Sequence, residues 1–354
     1  MLNASKGTKM VNSPNLFSYA TSELSQDALI CWLLEWAAPE HAGENRELHA
    51  CGTDLINAFF DKNQQAHPLI EKVEIRKQYK NIDILCIIND RFPIIIEDKT
   101  NTGTHSDQLK RYYEQVCNIK EYNECDIIRI FFKTHDQSDY TEIENDGYRV
   151  FTRTDFLRVL NQYTKTDSDI YNDFKTYLNE IEDNVQSYKT KPKEKWTNKS
   201  WTGFYIALKE VLGTKDTECN WNYVPNQSGG FMGFWWDFDT TNDVRSHLQL
   251  EGNKKINRLV FKVTTETPTK KLHTNWSNQI SKLSAEYDLS ITKPKRLGFG
   301  RSVTVAVLEN DFRVFSDGVL DMDASVGVLK KAQSVLDKAR EVLETVERIP
   351  EALA

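Results

Sequence analysis

Two acidic residues and a lysine lie in neighbouring segments whose composition predicts β-strands. Asp83 belongs to the isoleucine-rich run Ile82–Ile88, and Glu97 belongs to a second such run at 93–97, with Lys99 two residues further on. Carboxylates are the ligands that Mg²⁺ prefers in proteins. An amine beside them would stabilise negative charge on a reacting phosphate. These residue types together predict hydrolysis of a phosphodiester.

The spacing of the two runs predicts that the carboxylates meet. Asn89-Asp90-Arg91 between them has the composition of a turn, so the runs form a hairpin. With Asp90 at the centre, Asp83 lies directly opposite Glu97, and facing residues have Cβ atoms about 4.5–5.5 Å apart. Because side chains alternate along a strand, Lys99 shares the face of Glu97 if the strand continues, and Asp98 points the other way.

Two carboxylates at this distance repel each other, and burial increases the cost. A divalent cation between them would offset the repulsion. In the alternative, Asp83 forms a buried salt bridge with Lys99 or Arg76 and has no catalytic role. A D…ExK spacing alone does not decide between the two, because such short motifs occur by chance.

A helix predicted at about 106–120 adds two polar residues, Gln108 and Tyr112. Residues four positions apart share one face of a helix, so both side chains can point at one site. A solvated helix face is the competing interpretation. Three motifs thus follow one another along the chain: Ile82-Asp83-Ile84, Ile94-Ile95-Ile96-Glu97-Asp98-Lys99 and Gln108-Leu109-Lys110-Arg111-Tyr112.

These motifs resemble the PD-(D/E)XK nuclease superfamily over roughly residues 16–160, and the Gln-x-x-x-Tyr element is similar to that of its RecB-like branch. The resemblance implies that Asp83 and Glu97 bind Mg²⁺ or Mn²⁺ and that Lys99 assists the attacking water. It also implies that Gln108 and Tyr112 hold the substrate or the catalytic lysine. Ile82 stands where the family name has proline.

The segment Ser22-Glu23-Leu24-Ser25-Gln26-Asp27-Ala28 resembles the first helix of one subfamily, in which an acidic residue completes the metal site. By this resemblance Glu23 is a third metal ligand, with Asp27 in reserve. The alternative is that both carboxylates only complement the positive end of the helix dipole.

The order of predicted elements gives the fold. Helix, strand, hairpin, helix and strand in the first half match an α/β core of the restriction-endonuclease type, a mixed sheet flanked by helices. We therefore predict a flexible N-terminus at 1–14, a nuclease domain at 15–187, a basic linker at 188–199 and an α+β domain at 200–354. The last domain repeats a similar element order, so it is predicted to be a degenerate copy of the core that serves in substrate binding or dimerisation.

Composition narrows the remaining possibilities. The six cysteines show no CxxC pair and the chain has no apolar run long enough for a membrane, so we expect a cytoplasmic protein without a membrane partner. The net charge of −7 disfavours nucleic-acid binding over the whole surface, but the local field matters more. Lys193, Lys195 and Trp196 are candidate nucleic-acid contacts, against the alternative of a solvated linker beside a core tryptophan.

The predicted function is thus metal-dependent cleavage of nucleic acid, and DNA is favoured over RNA as the substrate. The predicted biological role is defence or DNA processing. One alternative is a catalytically silent module that binds nucleic acid or protein on the same fold. Another is an assembly subunit that forms a homo-oligomer through its C-terminal half.

Overall fold

The structure, a computed structural model, describes residues 14–100, 107–118, 122–214, 218–227 and 229–348. All but the last residue of the predicted flexible N-terminus, 1–14, lies outside these ranges. The chain divides into two compact units, Met1–Glu182 and Asp183–Ala354. We describe each unit by itself.

The first unit alternates helices with strands. Its helices and strands, in chain order, are α1 (Glu23–Glu35), α2 (Arg46–Lys62), β1 (Val73–Tyr79), β2 (Ile82–Ile88), β3 (Phe92–Lys99), α3 (Gln108–Cys117), β4 (Ile128–Lys133), α4 (Thr141–Asn145), β5 (Arg149–Thr152), α5 (Arg153–Leu160) and α6 (Asp169–Gln186). The Ser22 side chain caps α1 by accepting a hydrogen bond from the Ser25 amide, as expected of a serine at a helix start.

The strands of the first unit form one mixed sheet in the order β1-β2-β3-β4-β5. The first three strands are antiparallel, whereas β3, β4 and β5 run parallel. Ile84 pairs with Ile96, and Ile88 pairs with Phe92, so the hairpin turns about Asp90. The register predicted from the sequence is confirmed, and it places Asp83 and Glu97 one step beyond the Ile84–Ile96 pair.

Helices cover both faces of this sheet. Ile84, Ile96 and Phe132 belong to an apolar core shared with α1, α2, α5 and α6. Leu85 and Phe131 belong to a second core, shared with α3. Because successive side chains alternate, Asp83, Glu97 and Lys99 lie on the α3 face. This architecture confirms the predicted fold class.

The second unit is built on a separate sheet. Its helices and strands are α7 (Asn198–Leu212), β6 (Asn220–Val224), β7 (Phe231–Thr241), β8 (Val244–Gly252), β9 (Asn257–Thr264), α8 (Lys270–Ser284), β10 (Ile291–Thr292), β11 (Ser302–Leu308), β12 (Val314–Ser316), β13 (Val319–Asp321) and α9 (Met322–Arg348). Six strands form one sheet in the order β10-β11-β9-β8-β7-β6, and β12 pairs with β13.

Two expectations about the second unit disagree with the structure. Every strand pair described in its six-stranded sheet is antiparallel, so it lacks the parallel β3–α3–β4 crossover and is not a degenerate copy of the first sheet. The predicted linker, 188–199, is not a linker either. Tyr188 and Trp196 are buried in the core of this unit, because their rings pack against each other and against Phe204 on α7.

Among the described residues, we find no helix with the length and apolar character that crossing a bilayer requires.

Candidate active site

The structure brings three predicted side chains together at one end of the sheet. Asp83 lies near the start of β2, and Glu97 and Lys99 lie at the end of β3. The Lys99 Nζ is 2.7 Å from Glu97 Oε1 and 3.7 Å from Asp83 Oδ2. Arg76, the other proposed partner of Asp83, pairs with Glu74. The hairpin register alone explains this grouping of two acids and an amine.

The negative charge of Glu97 is unfavourable in this cluster. Glu97 is fully buried, and burial together with the charge of Asp83 raises the pKa of its carboxyl to about 8 despite the contact with Lys99. Glu97 Oε2 is buried without a hydrogen-bond partner among the described residues. Burial alone would lower the pKa of Lys99, but its hydrogen bond to Glu97 and the carboxylate charges outweigh burial and raise it.

Helix α3 brings Gln108 and Tyr112 to the cluster, and their role in holding the substrate or the catalytic lysine stays a prediction. Gln108 Nε2 lies 2.8 Å from Glu97 Oε1 and 2.8 Å from Tyr112 Oη. Burial raises the pKa of Tyr112, so its hydroxyl stays protonated. The amide therefore fixes the Glu97 carboxylate from the helix side, and Tyr112 positions the amide.

Glu23 is the first residue of α1, and its side chain lies beside Thr100, the residue that follows β3. Its Oε1 accepts hydrogen bonds from the Thr100 amide at 3.1 Å and from the Thr100 hydroxyl at 3.3 Å. Its charge also raises the pKa of Lys99, so it is part of the local field. In the part of the chain that the structure describes, no three His, Cys, Asp or Glu residues are grouped to hold an ion. The role of Glu23 as a ligand stays a prediction.

A buried polar network on the opposite face of β3 was not predicted. Asp98 accepts a hydrogen bond from Gln26 Nε2 at 2.5 Å, and Gln26 Oε1 accepts one from the Thr134 hydroxyl at 2.8 Å. Burial, and then the charge of neighbouring Asp27, raises the pKa of Asp98 well above its usual value. This network ties α1 to the ends of β3 and β4.

The reserve candidate Asp27 belongs to this second network. Burial and the charge of Asp83 raise the pKa of Asp27 to about 6. Gln78 Nε2 lies 3.3 Å from Asp27 Oδ2 and 3.2 Å from Asp83 Oδ1. The Asp98 amide also donates to Asp83 Oδ2 at 3.0 Å. These bonds hold the Asp83 carboxylate at the strand edge.

Lys133 is a second lysine beside the cluster that sequence reasoning missed. It ends β4 and is the register partner of Lys99 on the adjacent parallel strand, so the two side chains share a face. Burial lowers the pKa of Lys133 to about 8, although the charge of Glu23 acts against this. A lysine directly after the apolar residues Ile130, Phe131 and Phe132 at the end of β4 was the available signal.

The residues present fit a divalent cation. Among the residues that the structure describes, Glu97 Oε2 has no hydrogen-bond partner, and a second carboxylate, Asp83, lies close enough to raise the pKa of Glu97. Mg²⁺ is commonly held by one or two carboxylates, with water and substrate phosphate completing its shell. Asp83 and Glu97 would hold such an ion.

The proposed nucleic-acid contacts lie in the second unit. Lys193 and Lys195 are exposed on a 3₁₀ turn, so contact with a phosphate backbone stays a prediction. Trp196 does not fit its predicted role. Only 2% of it is exposed, and the Arg313 guanidinium lies 4.7 Å from its ring centroid. Its indole is therefore not free to stack on a base.

A comparison with protein-family models finds a match. The model of the PD-(D/E)XK nuclease superfamily matches residues 14–214, a range that contains every side chain of the cluster described above. No curated protein and no solved structure matches the chain.

Proposed function

The chain belongs to the PD-(D/E)XK nuclease superfamily. We therefore propose that it hydrolyses phosphodiester bonds in nucleic acid with Mg²⁺ or Mn²⁺, and that its substrate is DNA rather than RNA. The single observation that carries the proposal is the meeting of Asp83, Glu97 and Lys99 at one end of the sheet, where Glu97 Oε2 has no hydrogen-bond partner in the described part of the chain. The family supports a nuclease-like function in general; the metal, the substrate and the pathway are proposals.

Each residue has a role that its position supports. Asp83 and Glu97 hold the ion, which when bound supplies polarisation of the scissile phosphate and activation of water. Lys99 places a fixed positive charge where negative charge develops in the transition state. Gln108 and Tyr112 keep the Glu97 carboxylate oriented, and Glu23 adds negative charge at the end of β3.

The two units differ in charge, which bears on how substrate is held. Residues 1–182 carry 20 Lys and Arg against 30 Asp and Glu, a net charge of −10, whereas residues 183–354 carry 25 against 22, a net charge of +3. Contacts with a phosphate backbone come chiefly from Lys and Arg. We therefore propose that the second unit contributes backbone contacts, with Lys193 and Lys195 among them.

A cleavage assay tests the proposal. The purified protein is incubated with double-stranded DNA, single-stranded DNA and RNA in Mg²⁺, Mn²⁺ or EDTA. We expect cleavage of DNA that EDTA abolishes, and a loss of about 100-fold or more in Lys99→Ala and Asp83→Asn. Lys72→Ala is the matched control, because this exposed lysine pairs with Asp90 at the other end of the hairpin. Cleavage by Lys99→Ala at the wild-type rate would contradict the assignment.

One observation favours a catalytically silent module instead. Lys99 contacts Glu97 at 2.7 Å, which is the ion pair that a purely structural role requires. Under this alternative the wild type binds nucleic acid without cutting it, and Lys99→Ala loses stability rather than activity. The assay above, combined with thermal unfolding of both proteins, separates the two.

We also propose a cytosolic location, a role in defence and self-association. The six cysteines are unpaired, which supports the cytosol because disulfides are rare there. A defence role, which the resemblance suggests, is tested by plating phage on bacteria that express the wild type or Lys99→Ala. Self-association through the second unit is tested by mass measurement in solution.

A further inference from the structure

A surface pocket of about 230 Å³ lies at the C-terminal end of α1, away from the cluster at Asp83 and Glu97. Its lining residues are Trp32, Glu35, Trp36, His41 and Glu44. The helix begins at Glu23 and ends at Glu35, so the pocket and the candidate active site are separated by about 18 Å along it. Nothing in the proposed cleavage reaction uses this pocket.

Aromatic rings form two walls of the pocket. The Trp32 and Trp36 ring centroids are 6.1 Å apart with the planes at 82°, and the Trp36 and His41 centroids are 5.5 Å apart at 57°. Both tryptophans are only partly buried and pack against the core of the unit. The face of an indole carries negative charge density, and a cation within about 6 Å of the centroid is attracted to it. Because both tryptophans line the pocket, a cation bound in it lies beside their rings.

The rim and the helix end add further negative potential. Glu35 makes no ion pair among the described residues, and Glu44 pairs only with the half-buried His41, at 3.5 Å. Of the residues that the structure describes, no Lys or Arg lines the pocket. The last turn of α1 contains no basic residue, although the C-terminal end of a helix favours a positive charge. Aromatic faces, two carboxylates and a helix C-terminus thus converge on one cavity.

We propose that this pocket binds an organic ammonium ion, either quaternary or alkylated. Aromatic walls recognise such ions better than they recognise inorganic cations, because the alkyl groups lose little hydration when they contact a ring. Two sources carry this chemistry, a free choline-like molecule and a methylated lysine on a polypeptide. The inference does not depend on the nuclease activity.

Binding is measured by calorimetry and by ligand-observed NMR on the full chain. The probe is choline, and the control ligand is 3,3-dimethylbutan-1-ol, which has the same shape without the charge. We expect choline to bind about tenfold more tightly than the alcohol. N-acetyl-lysine methylamide, unmethylated and trimethylated, forms the second arm. Preference for the trimethylated amide over choline assigns the site to a polypeptide, and the reverse assigns it to a free small molecule.

Variants tie the binding to the pocket. Glu35→Gln with Glu44→Gln keeps the cavity but removes its charge, so choline should bind at least about threefold more weakly while the alcohol is unaffected. Trp36→Leu should abolish choline binding in protein that thermal unfolding shows to be folded. Glu40→Gln, an exposed neighbour that does not line the pocket, is the matched control. Equal affinity for choline and the alcohol, or no binding of either, would overturn the proposal.

Discussion

A buried charged cluster in the first unit and one in the second differ in how completely their polar atoms are hydrogen-bonded. In the second unit, all three guanidinium nitrogens of Arg340 donate hydrogen bonds, to Ser246, Asp237 and Asp337. In the first unit, Glu97 faces another carboxylate, and one of its oxygens has no hydrogen-bond partner among the residues that the structure describes. The two clusters therefore lead to opposite expectations for the loss of a charged member.

The largest effect we expect comes from breaking the satisfied cluster. Arg340→Ala leaves buried Asp237 without its cation, which should lower the free energy of unfolding by about 3–5 kcal/mol at pH 8. Burial raises the pKa of Asp237 to about 6, so the loss should shrink at pH 5, where the carboxyl takes up a proton. Urea unfolding at both pH values measures this.

The matched control is Arg301→Ala. Arg301 pairs with Glu266, but both side chains are more than two-thirds exposed, and such pairs contribute about 0–1 kcal/mol. If Arg340→Ala costs no more than Arg301→Ala, the second cluster is not the structural element inferred from its hydrogen bonds.

Removing the charge of Glu97 should change the free energy of unfolding in the opposite direction and stabilise the protein. The pKa of Glu97 is raised to about 8 from an ordinary value of 4.5, so its contribution to stability is fully present below about pH 4.5 and is lost as pH rises through 8. In metal-free protein at pH 9, Glu97→Gln should therefore raise the free energy of unfolding by roughly 2 kcal/mol. At pH 4.5 the two proteins should unfold alike, which gives an internal control. A variant less stable than the wild type at pH 9 would contradict this sign.

Binding of a divalent cation should offset the stability that the protein loses when Glu97 ionises. Below about pH 8, Glu97 carries a proton that an ion must displace, so stabilisation by Mg²⁺ should grow with pH between 6 and 9, by up to about 1.4 kcal/mol per pH unit. Thermal unfolding with and without Mg²⁺ measures the effect, and Glu97→Gln should abolish its pH dependence. A shift that is equal at every pH would show that the ion binds elsewhere.

How much of the fold and of the candidate site could be predicted depends on how far apart in sequence the contacting residues are. Asp83, Glu97 and Lys99 follow from a local hairpin, whose turn residues Asn89 and Asp90 adopt positive φ, so register could be counted along the sequence. Trp196 could not be placed in this way. Its burial depends on contacts with α7 and with Arg313, and the lysines around it suggested a solvated linker.

The network behind β3 was missed for a similar reason. Gln26 sits one turn after Glu23 and one turn before buried Ile30 on the same face of α1. A polar residue in a buried register was the available signal, but its partners lie at Asp98 and Thr134, far away in sequence. Long-range pairing of this kind has no local pattern.

This network supplies the smallest and most specific prediction. Thr134→Val removes one hydrogen bond to Gln26 and should cost about 1 kcal/mol. Gln26→Leu removes that bond and also the donor to buried Asp98, so it should cost about 1 kcal/mol more, with the stability of both variants measured by urea unfolding. Because Asp98 lies between Glu97 and Lys99 on β3, Gln26→Leu should also slow cleavage more than Thr134→Val does. Equal effects of the two substitutions would show that Gln26 packs in the core without holding the strand that carries the active site.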